Sequence, residues 1–308
     1  MAVEPEQIPL RRLLPGQRCV VSTHSVESST TTEVYQSDVI LLEAPNWVSD
    51  GVLVLNGDGV LWRLDIGATS LQEIVIGSVP PLNNDHVPTA DGATIYLSAY
   101  DFHLYRAPMW GGTAERVTTD ASRPMSHFLH GVSPDGSELA LVGIEPSDTD
   151  RWGSANIFTM ASDGGRLRQL TFGDRPADGP EYSPDGEWIY FNTAAFTTAD
   201  GHSQIARIRA DGRELTQLTF DERVNWFPHV SPDATTFVYL SFESGTIGHP
   251  ENRNVELRLV REHDWAAPVT IAALEGGQGT INVNSWAPDS RRFAYVAYPP
   301  AAARAGRA

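Results

Sequence analysis

Cysteine, basic residues and long apolar runs are scarce in this sequence. Its only cysteine, Cys19, excludes an internal disulfide, and its place in a predicted strand indicates a small buried side chain. No apolar run approaches the length that spans a membrane. Residues 1–10 hold early acids and no apolar signal core. The sequence therefore predicts a cytoplasmic protein with no membrane partner.

Acidic residues outnumber basic ones. The 308 residues include 39 Asp and Glu against 22 Lys and Arg, which gives a formal net charge of −17. A field of this sign repels phosphate backbones, so the composition argues against nucleic acid as a partner. No helical pattern of useful length is visible either, which leaves an all-β protein as the expected class.

The sequence does contain a repeat, seen most fully between residues 178 and 240. Ser183-Pro184-Asp185-Gly186 is typical of a tight turn, with Pro fixing φ and Gly free to take φ > 0. The aromatic and β-branched run 188–192 predicts a strand, and the alternating run 204–209 predicts another. Residues 215–220 predict a last, outer strand. One repeat is therefore a four-stranded meander.

The Asp-Gly signal of this turn, or a degraded form of it, recurs along the chain. It stands at residues 50, 91, 135, 185, 233 and 289. Intervals of roughly 40 to 55 residues are expected of four-stranded propeller blades. We therefore predict about six blades.

The two ends of the chain indicate how the ring closes. The last copy has only its inner strands before the terminus, whereas two unassigned strands, near 18–25 and 33–42, precede the first blade. The N-terminal strands are expected to complete the last blade and so remove free sheet edges. The prediction is one β-propeller domain over residues 18–298, an extended lead-in over 1–17 and a disordered tail over 299–308.

The segments that lead into the innermost strands hold most of the unusual polar residues. These are His86, His130, Glu181, His229, Gln278 and Asn282. Innermost strands surround the central channel of a propeller, so we expect these side chains to converge at one mouth. Nitrogen and oxygen ligands of this kind suit a divalent metal. The competing interpretation of each histidine is a channel-lining side chain bonded to backbone or water.

The spacing of these residues sets a condition on the site. His86 and His130 lie three residues before the Thr or Ser of the turn, whereas His229 and Glu181 lie two before it. Because side chains alternate along a strand, a bulge at the start of the strand is needed to aim all of them at the channel.

Other residue types fit structural roles. The serines before Pro-Asp are explained by turn chemistry, and no Gly-x-Ser-x-Gly elbow supports serine catalysis. The glycines around Gln278 do not join a strand to a helix, so we expect them to let the backbone crowd the channel. Trp226 and Trp286 are candidate sugar-stacking surfaces near the mouth. Five other histidines lack a position equivalent to those of His86, His130 and His229: His24, His103, His127, His202 and His263.

The repeated Ser-Pro-Asp-Gly turn, the apolar strand after it and the Gln-Leu-Thr-Phe that closes the preceding blade resemble the TolB-like propeller family over nearly the whole chain. That resemblance implies a fold more than a function, since such repeats occur in translocation proteins, peptidase gating domains and enzymes. The segments Trp226-Phe-Pro-His229 and Gly248-His249-Pro250 look like a cytoplasmic subgroup often found beside carbohydrate metabolism.

The three histidines and the glutamine are also similar to the manganese site of oligogalacturonate lyases, which are propellers. On that resemblance His86, His130, His229 and Gln278 would be the ligands, with manganese favoured over zinc, iron or calcium. The sequence departs from that pattern at two points. Residues 86–91 read His-Val-Pro-Thr-Ala-Asp where His-Gly-x-Ser-Pro-Asp would be usual, and the catalytic arginine of those lyases has no match here.

The resulting hypothesis is a metal-dependent, carbohydrate-active enzyme, in particular a lyase that performs β-elimination on a uronate or keto-sugar. The metal would stabilise the enolate that forms on deprotonation. His249 is the first candidate for the base and Glu181 the second. Trp226, Asn282 and Trp286 would contact the sugar.

The alternative hypothesis is a non-catalytic propeller that binds a protein or another ligand. Its contact surface would be formed by the long loops 144–154 and 243–254.

Overall fold

A computed structural model describes residues 10–68, 70–119, 125–145 and 154–300. Within these ranges every regular element is a β-strand, and no helix there could cross a membrane. Most of the predicted tail, most of the loop 144–154 and the first nine residues of the lead-in lie outside the described residues.

The strands form six antiparallel sheets, which are the blades of a propeller. The first two strands, which belong to the last blade, are β1 (Cys19–Ser25) and β2 (Thr30–Ser37). Blade one contains β3 (Leu42–Ser49), β4 (Val52–Gly57), β5 (Val60–Asp65) and β6 (Leu71–Ile74). Blade two contains β7 (Leu82–Pro88), β8 (Thr94–Ala99), β9 (Leu104–Pro108) and β10 (Glu115–Arg116). The predicted all-β propeller of six blades is confirmed.

Blades three to five repeat the same order from the channel outward. Blade three contains β11 (Ser126–Val132), β12 (Glu138–Glu145), β13 (Ser154–Ala161) and β14 (Arg168–Gln169). Blade four contains β15 (Ala177–Tyr182), β16 (Trp188–Thr193), β17 (Gln204–Arg209) and β18 (Thr216–Gln217). Blade five contains β19 (Val224–Val230), β20 (Thr236–Phe242), β21 (Arg253–Arg261) and β22 (Val269–Gly276).

Blade six joins the two ends of the chain. Its strand β23 (Arg292–Ala297) pairs antiparallel with β1, from Val20 opposite Ala297 to Ser25 opposite Arg292. The innermost position is held by residues 280–287. They form one β-bridge to β23, between Trp286 and Phe293, and the N–H groups of Ala294 and Val296 donate to the carbonyls of Ser285 and Thr280. The predicted closure is therefore confirmed, although the last blade has three regular strands instead of four.

Two strands differ from their predicted bounds because side chains and carbonyls interrupt them. The second N-terminal strand was expected to extend to Leu42, but Ser37 Oγ accepts the N–H groups of Val39 and Ile40 and turns the chain. In blade four the outer strand, which was expected over 215–220, is limited to residues 216–217. It ends there because the N–H groups of Leu218 and Thr219 both point to the carbonyl of Ile205.

The turns between the first and second strands use their serines as predicted. Ser183 Oγ donates to Asp185 over 2.5 Å and accepts the N–H of Trp188 over 3.0 Å. Gly186 has φ 73°, a value that Gly adopts without strain. The hydroxyl groups of these serines are thus bonded within the turn. The turn lies at the opposite end of the blade from the segments that carry the candidate site.

Each innermost strand of blades one to five has an irregular register near its start. The shifts fall between Glu43 and Asn46, Leu82 and His86, Leu129 and Gly131, Asp178 and Glu181, and Trp226 and His229. In three of these bulges a residue adopts the left-handed conformation, namely Ala44, Gly179 and Phe227, with φ of 52°, 62° and 52°. Because an extra residue changes the face of those after it, the bulges decide which side chains meet the channel.

Candidate functional site

A cavity of about 370 Å³ lies where the bulged starts of the innermost strands meet. Its polar lining consists of Asn83, Asn84, Asp85, Tyr100, His130, Asp178, His249, Gln278 and Asn282. Its apolar lining consists of Ala99, Phe102, Phe128, Val142, Ile144 and Phe227. Residues from blades two to six therefore share one site.

At the centre of this lining an imidazole faces two carboxylates. His130 Nδ1 donates to the carbonyl of Asn282 over 3.1 Å, which leaves Nε2 directed at the acids. His130 Nε2 lies 3.3 Å from Asp178 Oδ1 and 3.9 Å from Asp85 Oδ1. The ring of Phe227 stacks on the imidazole with centroids 5.7 Å apart. The fixed Nδ1 bond and the stacked ring hold the orientation of His130.

The three groups shift one another's protonation. Burial opposes a charge on His130, but the Asp85 carboxylate and the hydrogen bond and charge of Asp178 outweigh it and raise its pKa to about 9. Burial raises the pKa of Asp85 to about 6, although His130 acts against that change. Burial also acts to raise the pKa of Asp178, but its hydrogen bond with His130 and the nearby charges lower it. At neutral pH the His130 imidazolium thus faces the ionised carboxylate of Asp178 and the carboxylate of Asp85, whose pKa is about 6.

A second imidazole completes the polar wall. His249 Nδ1 lies 2.5 Å from Gln278 Oε1, and its Nε2 lies 3.7 Å from Asp178 Oδ2. Gln278 also accepts from Asn282 Nδ2 over 3.0 Å and donates through Nε2 to Asn84 Oδ1 over 3.2 Å. These bonds fix the orientation of the amide, so the proton of a neutral His249 is on Nδ1 and its Nε2 is an acceptor.

Four of the nine predicted site residues line this cavity: His130, His249, Gln278 and Asn282. His86 does not. It is buried, with Nε2 3.5 Å from the carbonyl of Val54, and burial lowers its pKa to about 4, so it is neutral at physiological pH.

Glu181 and His229 form a buried pair between the blades. Glu181 Oε2 lies 2.5 Å from His229 Nδ1, while Oε1 accepts from the N–H of Val230 over 2.9 Å and from Asn284 Nδ2 over 2.6 Å. His229 Nε2 donates to the carbonyl of Ile281. Both residues are outside the cavity lining, and their hydrogen bonds join blades four, five and six.

The two predicted stacking tryptophans are also buried. Trp286 is 3% exposed and donates through Nε1 to the carbonyl of His229 over 3.1 Å. Trp226 packs against the imidazole of His249, with centroids 4.5 Å apart, from outside the cavity. The aromatic rings that do line the cavity are those of Tyr100, Phe102, Phe128 and Phe227.

The predicted ligand set does not fit a single metal ion. Of its four members only His130 and Gln278 line the cavity, and both nitrogens of His229 are bonded within the protein. In the described ranges no three His, Cys, Asp or Glu side chains are placed to hold an ion. The metal remains a prediction from the sequence.

Sequence reasoning missed two acids, Asp85 and Asp178. Asp85 directly precedes His86, and Asp178 lies three residues before Glu181. The signal that could have found them was the distance of the predicted residues from the turn. It is three residues for His86 but two for Glu181, so a bulge was already required. The bulges are present, but in blades two and four it is Asp85 and Asp178, and not His86 and Glu181, that line the cavity.

A glycine lets two loops of the site pack closely together. Gly277 has φ 104°, and a Cβ at this position would lie 2.0 Å from the carbonyl oxygen of Pro250. No side chain could be accommodated there without moving the backbone. The loop that carries Gln278 can therefore pack directly on the loop that carries His249.

Comparison with known proteins agrees with this architecture. A family model described as the TolB beta propeller domain matches residues 125–261. An uncharacterized protein of Agrobacterium fabrum is 38% identical over 266 residues, which are 84% of this chain and 86% of the relative. The structure of a provisionally named TolB of Agrobacterium tumefaciens has a TM-score of 0.82 and 35% identity, and the match covers 92% of this chain and 99% of that one.

A more distant likeness concerns an oligogalacturonate lyase in complex with manganese. Its TM-score is 0.54 at 12% identity, and the match covers 88% of this chain and 74% of that one. A likeness at this identity shows the fold alone.

Proposed function

The chain belongs to the TolB-like β-propeller family, and from the chemistry of its cavity we propose that it is an enzyme that removes a proton next to the carbonyl group of a sugar-like molecule. The observation that carries this proposal is the arrangement of Asp85, His130 and Asp178, in which one imidazole faces two carboxylates inside one cavity. Groups whose environments drive their pKa values apart are typical of acid–base sites.

Asp85 is the base in this proposal. Its carboxylate lines the cavity and accepts from Asn83 Nδ2 over 2.7 Å, which fixes its position. Burial raises its pKa to about 6. A general base works best when its pKa lies near the operating pH, because it is then mostly ionised and still basic.

His130 stabilises the negative charge that forms when the proton leaves. Its Nε2 atom lies 3.3 Å from Asp178 Oδ1 and 3.9 Å from Asp85 Oδ1. Both distances are longer than that of a strong charge-assisted hydrogen bond. A carbonyl oxygen placed near Nε2 would therefore gain a donor that the protein does not fully use. Asp85 and Asp178 together keep the imidazole protonated, so the donor is in place before the reaction begins.

With a leaving oxygen on the next carbon, these steps give a β-elimination. Asp85 takes the proton from carbon, the electron pair of the C–H bond forms the enolate held by His130, and the C–O bond then breaks as a C=C bond forms. The departing oxygen needs a proton, and the newly protonated Asp85 can return one. His249, whose Nε2 is an acceptor, is the second candidate for proton transfer.

The lining favours a neutral sugar-like ligand over a uronate. Two carboxylates face the cavity, no arginine is among the described lining residues, and the sequence has no lysine. The side-chain amides of Asn83, Asn84, Gln278 and Asn282 offer hydrogen bonds to hydroxyl groups, and the phenyl rings offer apolar faces. Of the two predicted substrate types, we therefore propose the keto-sugar.

The deciding experiment follows the signal of the carbon-bound proton in D2O, because that signal is lost both when the proton exchanges with solvent and when it is removed in the elimination. Ketoses, keto-glycosides and hexuronates are incubated with the protein in D2O and followed by proton NMR. Asp85→Asn is expected to slow the exchange at least a hundredfold, since general-base catalysis contributes about that much. Asp91→Asn, on an exposed turn, is the matched control and should exchange at the wild-type rate.

Equal exchange rates in Asp85→Asn and in the wild type would refute the role of Asp85. The proposed activity would be refuted if the wild type exchanged no proton of any of the three ligand classes.

The predicted divalent metal is a separate proposal with its own test. Elemental analysis of the purified protein is compared with that of His130→Ala and His229→Ala. Near-stoichiometric manganese, zinc, iron or calcium that disappears in both variants would support the predicted set. Loss of the metal in His130→Ala but not in His229→Ala would indicate an ion in the cavity that His229 does not bind. This would agree with the hydrogen bonds that both ring nitrogens of His229 make within the protein.

One observation favours the alternative, a protein-binding face. Phe172, Phe196, Phe220 and Ile247 are 77%, 38%, 76% and 65% exposed. All four lie on loops at the end of the ring where the innermost strands start. Exposed apolar side chains gathered on one face are typical of a contact surface. Purified protein that binds no ligand of the panel, and whose Phe172→Ser/Phe220→Ser variant loses capture of a partner, would support this function instead.

A further inference from the structure

The first described residues, 10–17, cross the cavity end of the ring and contact blades one, five and six. Gln17 Nε2 donates to Asn252 Oδ1 over 2.8 Å and to the carbonyl of Tyr298 over 2.9 Å. Gln17 itself is buried. This segment was expected to be an extended lead-in before the domain, yet its polar side chains are tied to the loops around the candidate site.

Arg11 is the most enclosed cation of this segment, with 10% of its side chain exposed. Its guanidinium lies 2.8 Å from Glu43 Oε1 and 2.5 Å from Glu251 Oε2. It also donates to the backbone carbonyl of Gln278 and stands 4.2 Å from the ring centroid of Tyr298. A planar guanidinium can hold several acceptors in fixed directions at once, which a lysine ammonium cannot do in the same geometry.

The partners of Arg11 carry the second imidazole of the site. Glu251 lies two residues after His249, and Gln278 accepts the Nδ1–H of His249. Arg11 therefore contacts both sides of the His249–Gln278 hydrogen bond. It contacts the loop of His249 through Glu251, and it donates to the backbone carbonyl of Gln278. That bond sets which nitrogen of His249 carries the proton and which one faces Asp178.

We propose that Arg11 is a positioning residue that fixes the His249–Gln278 pair from outside the cavity lining. The effect on turnover rests on the proposed function, whereas the effect on His249 does not. A role in folding alone would alter the stability of the protein but not the tautomer of His249.

The test reads the tautomer of His249 by long-range proton–nitrogen NMR on protein labelled with ¹⁵N-histidine, with His249→Gln to assign the signal. The variants are Arg11→Lys, Arg11→Ala and Glu251→Gln, and the matched control is Arg12→Ala, since Arg12 is exposed and bonds only to Asp58 among the described residues. We expect the wild type and Arg12→Ala to show the Nδ1–H form. In Arg11→Lys and Arg11→Ala the signals should move toward a mixture of tautomers.

The second readout is the proton-exchange rate of the proposed reaction, expected to fall at least tenfold in Arg11→Lys while Arg12→Ala keeps the wild-type rate. Arg11→Lys retains the charge, and Glu251→Gln loses only one partly exposed contact, so these variants guard against simple failure to fold. An unchanged His249 tautomer in Arg11→Lys, Arg11→Ala and Glu251→Gln would overturn the proposal. If the wild type catalyses no exchange, the proposed function fails while the tautomer measurement still decides the role of Arg11.

Discussion

Replacing Asp85 by Asn removes one of the two charges that keep His130 protonated. Coulomb's law gives about 4 kcal/mol for unit charges roughly 4 Å apart at an effective dielectric constant of about 20. The His130–Asp85 separation is 3.9 Å. The step from an ordinary histidine pKa of about 6.5 to a value near 9 corresponds to about 3 kcal/mol. The Asp85 charge is therefore comparable in size to the net shift, but burial opposes it more strongly than any single group acts, so the pKa of His130 is raised by Asp85 and Asp178 together.

The expected result is that the pKa of His130, about 9 in the wild type, returns to the ordinary histidine range in Asp85→Asn. Burial, which opposes the charged form, then acts against a single remaining acid, Asp178. The assay is an NMR titration of the labelled histidines between pH 5 and pH 10. Asp91→Asn serves as the control, because it removes an exposed carboxylate at the other end of a blade.

The same shift predicts how stability depends on pH. The pKa of His130 is higher in the folded protein than in the unfolded chain, so its stabilising contribution is complete below about pH 6.5 and is lost as the pH rises through about 9. Urea unfolding should therefore show the wild type losing up to about 3 kcal/mol across this window. The free energy of unfolding of Asp85→Asn should fall much less over the same pH range.

Two results would refute this reasoning. One is a His130 pKa near 6.5 in the wild type, which would mean that burial cancels the effect of both acids. The other is a pKa that stays near 9 in Asp85→Asn, which would assign the whole effect to Asp178.

Three further predictions concern buried groups. Glu181→Gln replaces an acceptor of three hydrogen bonds by an amide and should lower the free energy of unfolding by about 3 kcal/mol in urea titrations, whereas the control Glu187→Gln on the exposed surface should not. Gly277→Ala should destabilise the fold by at least about 2 kcal/mol more than Gly245→Ala, because both have positive φ but only the first meets a backbone oxygen; equal thermal-unfolding shifts would contradict this. The Cys19 thiol, whose pKa is raised to about 12 by burial, should react with a thiol reagent only after unfolding, and rapid labelling of the native protein would show that it is accessible.

The propeller could be predicted from the sequence because its signals are local. A turn such as 183–186 is closed by its own Ser and Asp, and the strand after it is specified by its own side chains. The spacing of these turns gave the blade count. The strands left over at the two ends gave the closure of β1 on β23.

The site was predicted less well because its geometry depends on single residues. His130, His249, Gln278 and Asn282 line the cavity, whereas His86 and Glu181 do not. Side chains alternate along a strand, so one inserted residue turns the next side chain to the other face. A sequence pattern indicates that a bulge is needed but not which residue it turns toward the channel.

The sequence by itself determined the blades, their order and the closure of the ring, since each depends on contacts between residues that are close along the chain or on the count of repeats. Only the tertiary structure decided which groups meet. The bulges expose Asp85 and Asp178 to His130, and Arg11 reaches the carbonyl of Gln278 from 267 residues away. The position of such contacts is set by the packing of whole blades and loops around the channel, and no local pattern in the sequence encodes it.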